Sequence, residues 1–162
     1  MRLLVALMFF LAGCGLFSED VIEGEYAFAN RYGYTESVVV RPDYEKRLEF
    51  GVEGRLTLKQ LDGRLTGSGT CTRSTITDLE PEDTSESSAQ TQTLTFSGDI
   101  DGRVLTSVRV TGCAYPRVMY GRLEGGRIVL ETDLDFPVSR GTTIISDRFG
   151  DPTRLVLSRS EG

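Results

Sequence analysis

With 162 residues and a formal charge of −6, the chain has the length of a single domain and an acidic balance. It contains no histidine. That excludes Ser-His-Asp and Cys-His nucleophilic sites and removes the commonest general base and neutral metal ligand, while an acidic balance without any basic run speaks against nucleic acid as a partner.

The first elements in chain order are those of an export signal. Met1 and Arg2 give a minimal positive end, residues 3–11 form an unbroken apolar run, and the small residues Ala12 and Gly13 lead to Cys14. A membrane-spanning helix needs about 20 apolar residues, so the run predicts a removable segment. The tetrapeptide Leu11-Ala12-Gly13-Cys14 resembles the lipobox of bacterial lipoproteins. That resemblance implies cleavage before Cys14, a diacylglycerol on its thiol and a fatty acyl group, such as palmitate, on the new amine. Two or three chains anchor a protein stably where one does not. Gly15 follows where an acidic residue would signal inner-membrane retention. The implied address is the cell envelope: the outer membrane where there are two membranes, otherwise the outer face of the cell membrane. The alternative is an ordinary secretory signal with a chance cysteine. The domain reading is residues 1–13 as signal, 14–21 as anchor and short tether, and 22–162 as one β domain. Cleavage would remove Arg2 and no carboxylate, leaving 17 basic against 24 acidic residues, a charge of −7.

Two cysteines remain, Cys71 and Cys113. In an exported chain an even remainder predicts one disulfide; the alternative is two buried thiols.

Beyond the tether, helix signals are scarce and short alternating runs predominate. Strands are predicted at 22–30 and 35–41, with one helical turn after Pro42, over 42–48. A hairpin over 55–71 turns at Asp62-Gly63, a pair suited to the positive φ that tight hairpins require. The stretch 77–92 holds Asp78, Glu80, Glu82, Asp83 and Glu86 among Ser, Thr and Pro81, and predicts a long polar acidic loop. Further turns are predicted at Asp101-Gly102, between 94–96 and 108–110, and at Gly125-Gly126, between 122–123 and 128–130. Strands at 142–147 and 154–159 complete a set of eight to ten. A Gly-Arg-aliphatic unit recurs at Arg55, Arg64, Arg103, Arg122 and Arg127. It reads as solvated charges at strand starts or as an anion-binding rim.

The predicted fold class is all-β: a small up-and-down antiparallel barrel, with a β-sandwich as the alternative. The barrel reading draws on Gly24-Glu25-Tyr26, which is similar to the Gly-x-Trp of the first strand in lipocalin-like (calycin) proteins, with Tyr in place of Trp. The resemblance implies that an arginine of the last strand, Arg154 or Arg159, packs over that ring. Such a barrel would pair 22–30 with 154–159, with Tyr26 and Phe28 pointing inward beside Leu155 and Leu157. A membrane-spanning barrel would also alternate, but the lipobox and the many charged strand residues argue against one.

Candidate chemistry is sparse. Glu131, Asp133 and Asp135 alternate along one predicted strand and would share a face, the minimum for a carboxylate-based glycan hydrolase; the competing reading is a wet outer face. Ser97, Asp99, Asp101 and Gly102 resemble the first half of an EF-hand loop but lack its distal bidentate Glu. No cofactor or metal is expected. Tyrosines pair a flat apolar body with a polar tip, so Tyr26, Phe28, Tyr32, Tyr34 and Tyr120 are the candidate ligand or partner contacts. The expected function is a non-enzymatic, membrane-anchored β-domain. It would bind a small apolar ligand inside the barrel, lined by Tyr26, Phe28, Leu58 and Phe96, or an envelope protein on its surface. A filled barrel or sandwich without a ligand is the alternative, and a hydrolase the second.

Overall fold

The computed structural model describes residues 22–80, 84–113, 119–132 and 135–160. The signal segment, Cys14, the tether, Glu82, Asp83, Tyr115 and Asp133 lie outside them. Among the described residues there are nine strands: β1 (Gly24–Val38), β2 (Arg41–Leu61), β3 (Arg64–Glu80), β4 (Thr84–Asp101), β5 (Val104–Thr111), β6 (Met119–Glu124), β7 (Arg127–Glu131), β8 (Thr143–Phe149) and β9 (Arg154–Arg159). Every pairing is antiparallel. The order β1-β2-β3-β4-β5-β6-β7-β9 returns to β1 and closes an eight-stranded barrel, with β8 as an extra strand on β1. The fold is therefore an up-and-down barrel and not a sandwich.

Period-two alternation builds the interior. Tyr26 and Phe28, Leu56 and Leu58, Leu65, Leu94 and Phe96, Leu105, Val108 and Val110, Ile128 and Leu130, and Leu155 and Leu157 are all buried in one core cluster. Most residues between them point to the outer face, because successive side chains of a strand point to opposite faces; Val129, between Ile128 and Leu130, is buried as well. Tyr26 and Phe28 are thus inward with Leu155 and Leu157, while Glu25 is exposed.

Closure falls on a short seam. β9 pairs along β7 over five positions but meets β1 only at Tyr26↔Arg159 and Ala27↔Ser158. At one end the Ser160 N–H also donates to Glu25 O at 2.9 Å. Beside it the Arg159 guanidinium donates to Glu23 O, and a Cβ on Gly24 would stand 3.1 Å from that guanidinium. Of the two arginines the calycin resemblance offered, Arg159 therefore reaches the start of β1; Arg154 lies 3.9 Å from Glu124. At the other end of the seam Asn30 Nδ2 donates to Asp151 O at 3.0 Å and Arg154 O at 3.1 Å.

Four expectations change. Residues 22–30 and 35–41 are not two strands: β1 runs through to Val38, paired with β2 position by position from Gly24 to Ser37. No helical turn follows Pro42. Positions 45–48 are hydrogen-bonded into ladders with β1 on one side and β3 on the other, and a single helical turn gives too few bonds to offset its nucleation cost. Within the predicted loop 77–92, residues 77–80 and 84–92 are strand, since the β3–β4 ladder continues through Thr77↔Glu86 to Leu79↔Thr84. It is solvated, with residues 84–91 all exposed. It lacks the apolar alternation that marks a strand, because it packs on no core and is held by main-chain bonds. Finally, the turn after β4 centres on Gly102-Arg103, since Asp101 pairs with Val104. Asp62-Gly63, with φ of 49° and 72°, is the tight turn its sequence predicts.

β1 to β4 outrun the barrel. The 21 residues of β2 span about 70 Å at ~3.3 Å per residue, far beyond the six-residue β6 and β9. Above the barrel they form a five-stranded extension, β8-β1-β2-β3-β4. The start of β1 and the end of β9 lie at the opposite end, beside the turns at 62–63, 102–103 and 125–126.

Cys71 of β3 and Cys113, just after β5, are buried at disulfide distance, with Cα atoms 6.1 Å apart. They reach each other across β4 at Gln92, which pairs with Cys71 and accepts the Cys113 N–H at 3.2 Å. Thiol counting on the denatured, unreduced protein should find neither cysteine free, and Cys71→Ser with Cys113→Ser should cost about 4 kcal/mol in urea unfolding, the loop entropy of a ~42-residue closure. Asn30→Ala should cost about 1 kcal/mol in the same measurement, because two main-chain carbonyls at the seam lose their donor.

Candidate functional site

The five aromatic candidates do not share one site. Tyr26 and Phe28 belong to the barrel core. The Tyr26 hydroxyl donates to Ile22 O at 2.9 Å, so its polar tip is satisfied. Tyr120 stands on the outside of β6, 59% exposed. Only Tyr32 and Tyr34 come together. They lie on the part of β1 that enters the extension, where Tyr32 stacks on Phe50 at 5.3 Å and meets Phe136 edge-on at 6.1 Å. Tyr34 touches the same two rings at 6.1 Å and 6.5 Å. Phe136 comes from the connection between β7 and β8, and Arg148 lies 5.7 Å from its ring centre. This aromatic group joins that crossover to the face continuous with the barrel interior. It was half visible in the sequence, through its tyrosines; Phe50 and Phe136 were not, being 86 positions apart.

The interior expected to hold an apolar ligand is occupied by its own side chains. Tyr26, Phe28, Leu58 and Phe96 are all buried in one packed cluster. Where a bare backbone leaves room, a large residue enters it: a Cβ on Gly54 would stand 2.6 Å from the Phe28 ring, and one on Gly67 would stand 2.6 Å from Leu58. Interiors packed in this way resist even one added methylene.

The polar candidates are dispersed as well. Glu131 is paired with Arg122 at 3.1 Å, and Asp135 accepts the Phe136 N–H at 2.7 Å. Arg122 also binds Glu124 and holds that carboxyl below its usual range, chiefly through the hydrogen bond between them. Asp99 pairs with Arg64 and Thr106 in the β-ladders, so that segment is strand and not a cation loop. Among the described residues no three acidic or cysteine side chains are grouped closely enough to hold a metal ion. The recurring arginines form no single rim: Arg64 and Arg127 follow, and Arg103 sits in, the three turns at the end where β1 begins, while Arg55 and Arg122 lie within strands.

A groove unannounced by the sequence opens on the other face of the extension, with a volume of about 650 Å³. Its floor is one row of the sheet: Thr35 of β1, then Arg47, Asp78 and Ser85 on successive strands. Phe149 forms a wall, seated over the bare backbone of Gly33, with the Arg47 guanidinium 5.6 Å from its ring centre. Thr35 is only 8% exposed. These residues are scattered over more than a hundred positions, and only the strand register gathers them.

No protein-family model, curated protein or solved structure matches the chain.

The phenols of Tyr26, Tyr32 and Tyr34 are all raised above the usual value, first by burial; Arg73 opposes the shift at Tyr32 and Glu36 adds to it at Tyr34. A raised folded pKa means stability fully present below the unfolded value of about 10 and lost as pH rises through the folded values. Absorbance at 295 nm should show part of the tyrosines ionising only together with alkaline unfolding. Tyr34→Phe should shift that unfolding to higher pH; an unchanged midpoint would contradict the assignment.

Proposed function

We propose that this protein is a lipid-anchored envelope protein, held at a membrane through Cys14, whose β-domain is a non-enzymatic interaction module. The observation that carries the reading is the filled barrel. An apolar ligand would have to displace Phe28 or Leu58, each seated against bare backbone, so binding is assigned to the surface. The partner is an envelope component reached by the sheet extension. That surface stands at the end opposite Ile22, where the tether joins, and would project away from the lipid.

The charge distribution fits this orientation. From Ser74 to Gly102 the chain carries seven carboxylates and no basic residue, and Asp78, Glu80 and Glu86 stand on the part of β3 and β4 that forms the far end of the extension. An acidic tip is repelled by anionic headgroups. At the tether end each of the three turns instead carries one acidic and one arginine side chain: Asp62 with Arg64, Asp101 with Arg103, and Glu124 with Arg127. No nucleic-acid role is proposed. Gly15 favours the outer membrane in a cell with two membranes, and the outer face of the cell membrane otherwise.

Growth with an alkyne-tagged fatty acid tests the anchor. Wild type should incorporate the tag and run as the processed form; Cys14→Ser should lose the tag and accumulate as precursor. Equal label on both would remove the lipid-anchor reading.

A further inference from the structure

We propose that the groove on the extension is a binding site for an organic cation, an alkylammonium or guanidinium group borne by a small amine or by a basic side chain of a partner. This rests on reading the extension as the binding surface and gives that surface its chemistry.

Charge is the first ground. Glu45, Asp78, Glu80 and Asp147 line the groove against one cation, Arg47, for a net charge of −3. Two of these carboxylates are set against each other: Glu45 pairs directly with Glu80 across β2 and β3. Like charges directly opposite on a sheet are destabilising, and a bound cation between them removes that repulsion. Asp147 enters from β8 with φ of 45°, beside the register shift between Gly33 and Thr35.

The second ground is independent of charge. Thr35 lines the groove, is more than nine-tenths buried, and its hydroxyl has no hydrogen-bond partner among the described residues. Buried polar groups in folded proteins are nearly always paired. A ligand N–H would give this oxygen a donor, deep in the groove and two strands from Asp78.

The third ground concerns shape and ligand class. The groove volume, about 650 Å³, falls within the ~300–1,000 Å³ range of small-ligand sites. Its carboxylates do not converge on a point as metal ligands must, since no group of three among the described residues can hold an ion. An extended organic cation can reach several of them in turn. The Phe149 ring suits the same guest, for aromatic faces attract ammonium and guanidinium groups, and Arg47 already approaches it in this way.

The test is titration of the ¹⁵N-labelled full chain, in detergent micelles at low salt, with spermidine as the free amine and with a capped lysine- and arginine-containing peptide as the protein-borne source. Glutarate serves as the anionic control. We expect amide shifts centred on Thr35, Arg47, Asp78, Asp147 and Phe149 with at least one cationic probe and none with glutarate. The stronger of the two cationic probes identifies the source. Asp78→Asn with Asp147→Asn should raise Kd about tenfold, Thr35→Val should raise it several-fold, and Glu25→Gln, at the opposite end, should leave it unchanged. Binding should weaken between 50 and 200 mM salt, as screening requires. Absence of binding by both probes at millimolar concentration, or shifts on wild type centred elsewhere, overturns the proposal even if a variant misfolds. Either result leaves the fatty-acid labelling of Cys14 and the filled barrel untouched, so the failure of this site is distinguishable from failure of the anchored-module reading.

Discussion

Everything in this fold depends on the closing of the first strand against the last. An open eight-stranded sheet would leave two exposed edges and split its apolar face; closure removes both problems. Here closure uses very little backbone. Two register pairs and the Ser160 N–H bond to Glu25 O join the β1 and β9 main chains, and the rest of the seam is side-chain work by Arg159 at one end and Asn30 at the other. The reason lies in the lengths. β1 has 15 residues and β9 has six, so one short strand cannot cover the edge. The chain covers the remainder with β8, which pairs from Gly33 to Val38 on the same side of β1. β8 and β9 follow the same edge in succession, with residues 150–153 between them.

That division of one edge between two strands produces the two-part molecule. Where β9 closes the ring, the inner face is surrounded and becomes a core of Leu, Ile, Val, Phe and Tyr. Where β8 takes over, no strand among the described residues completes the ring: β5 pairs with β4 only from Thr95 onward, and the upper half of β4 has no partner on that side among them. It is a polar edge of Ser, Thr, Gln and Glu, which is how natural sheets keep such edges from pairing with other chains. The sheet above the barrel therefore has two faces that no ring encloses. One is covered by the Tyr32, Tyr34, Phe50 and Phe136 group, and the other forms the acidic groove. A closed lower half supplies rigidity and an open upper half supplies surface, with the same four strands running through both.

The parts legible in the sequence are those written in local periodicity. Leu56 and Leu58 before Asp62-Gly63, Ile128 and Leu130 after Gly125-Gly126, and Leu155 and Leu157 near the end all read as strands because a buried face imposes alternation on neighbouring residues. The same rule fails where no face is buried. The β3–β4 hairpin above Cys71 has no apolar stripe, so its strand character is invisible and its composition resembles a loop. Candidate contacts chosen for chemistry alone fared likewise. Tyr26 and Tyr120 have the same side chain, yet one is core and the other is exposed, because face and strand position decide what a tyrosine does.

The sequence by itself determined the all-β class, the tight turns at Asp62-Gly63 and Gly125-Gly126 and most of the core-facing residues, since each follows from interactions between residues close in the chain. Its barrel reading needed the pairing of β1 with β9 to become fact. Only the tertiary structure decided that the interior is filled, that β1 to β4 continue past the barrel, and that Thr35, Arg47, Asp78, Asp147 and Phe149 line one groove. Those outcomes depend on register between strands more than a hundred residues apart. Register is set by the summed packing of whole strands and not by any short motif.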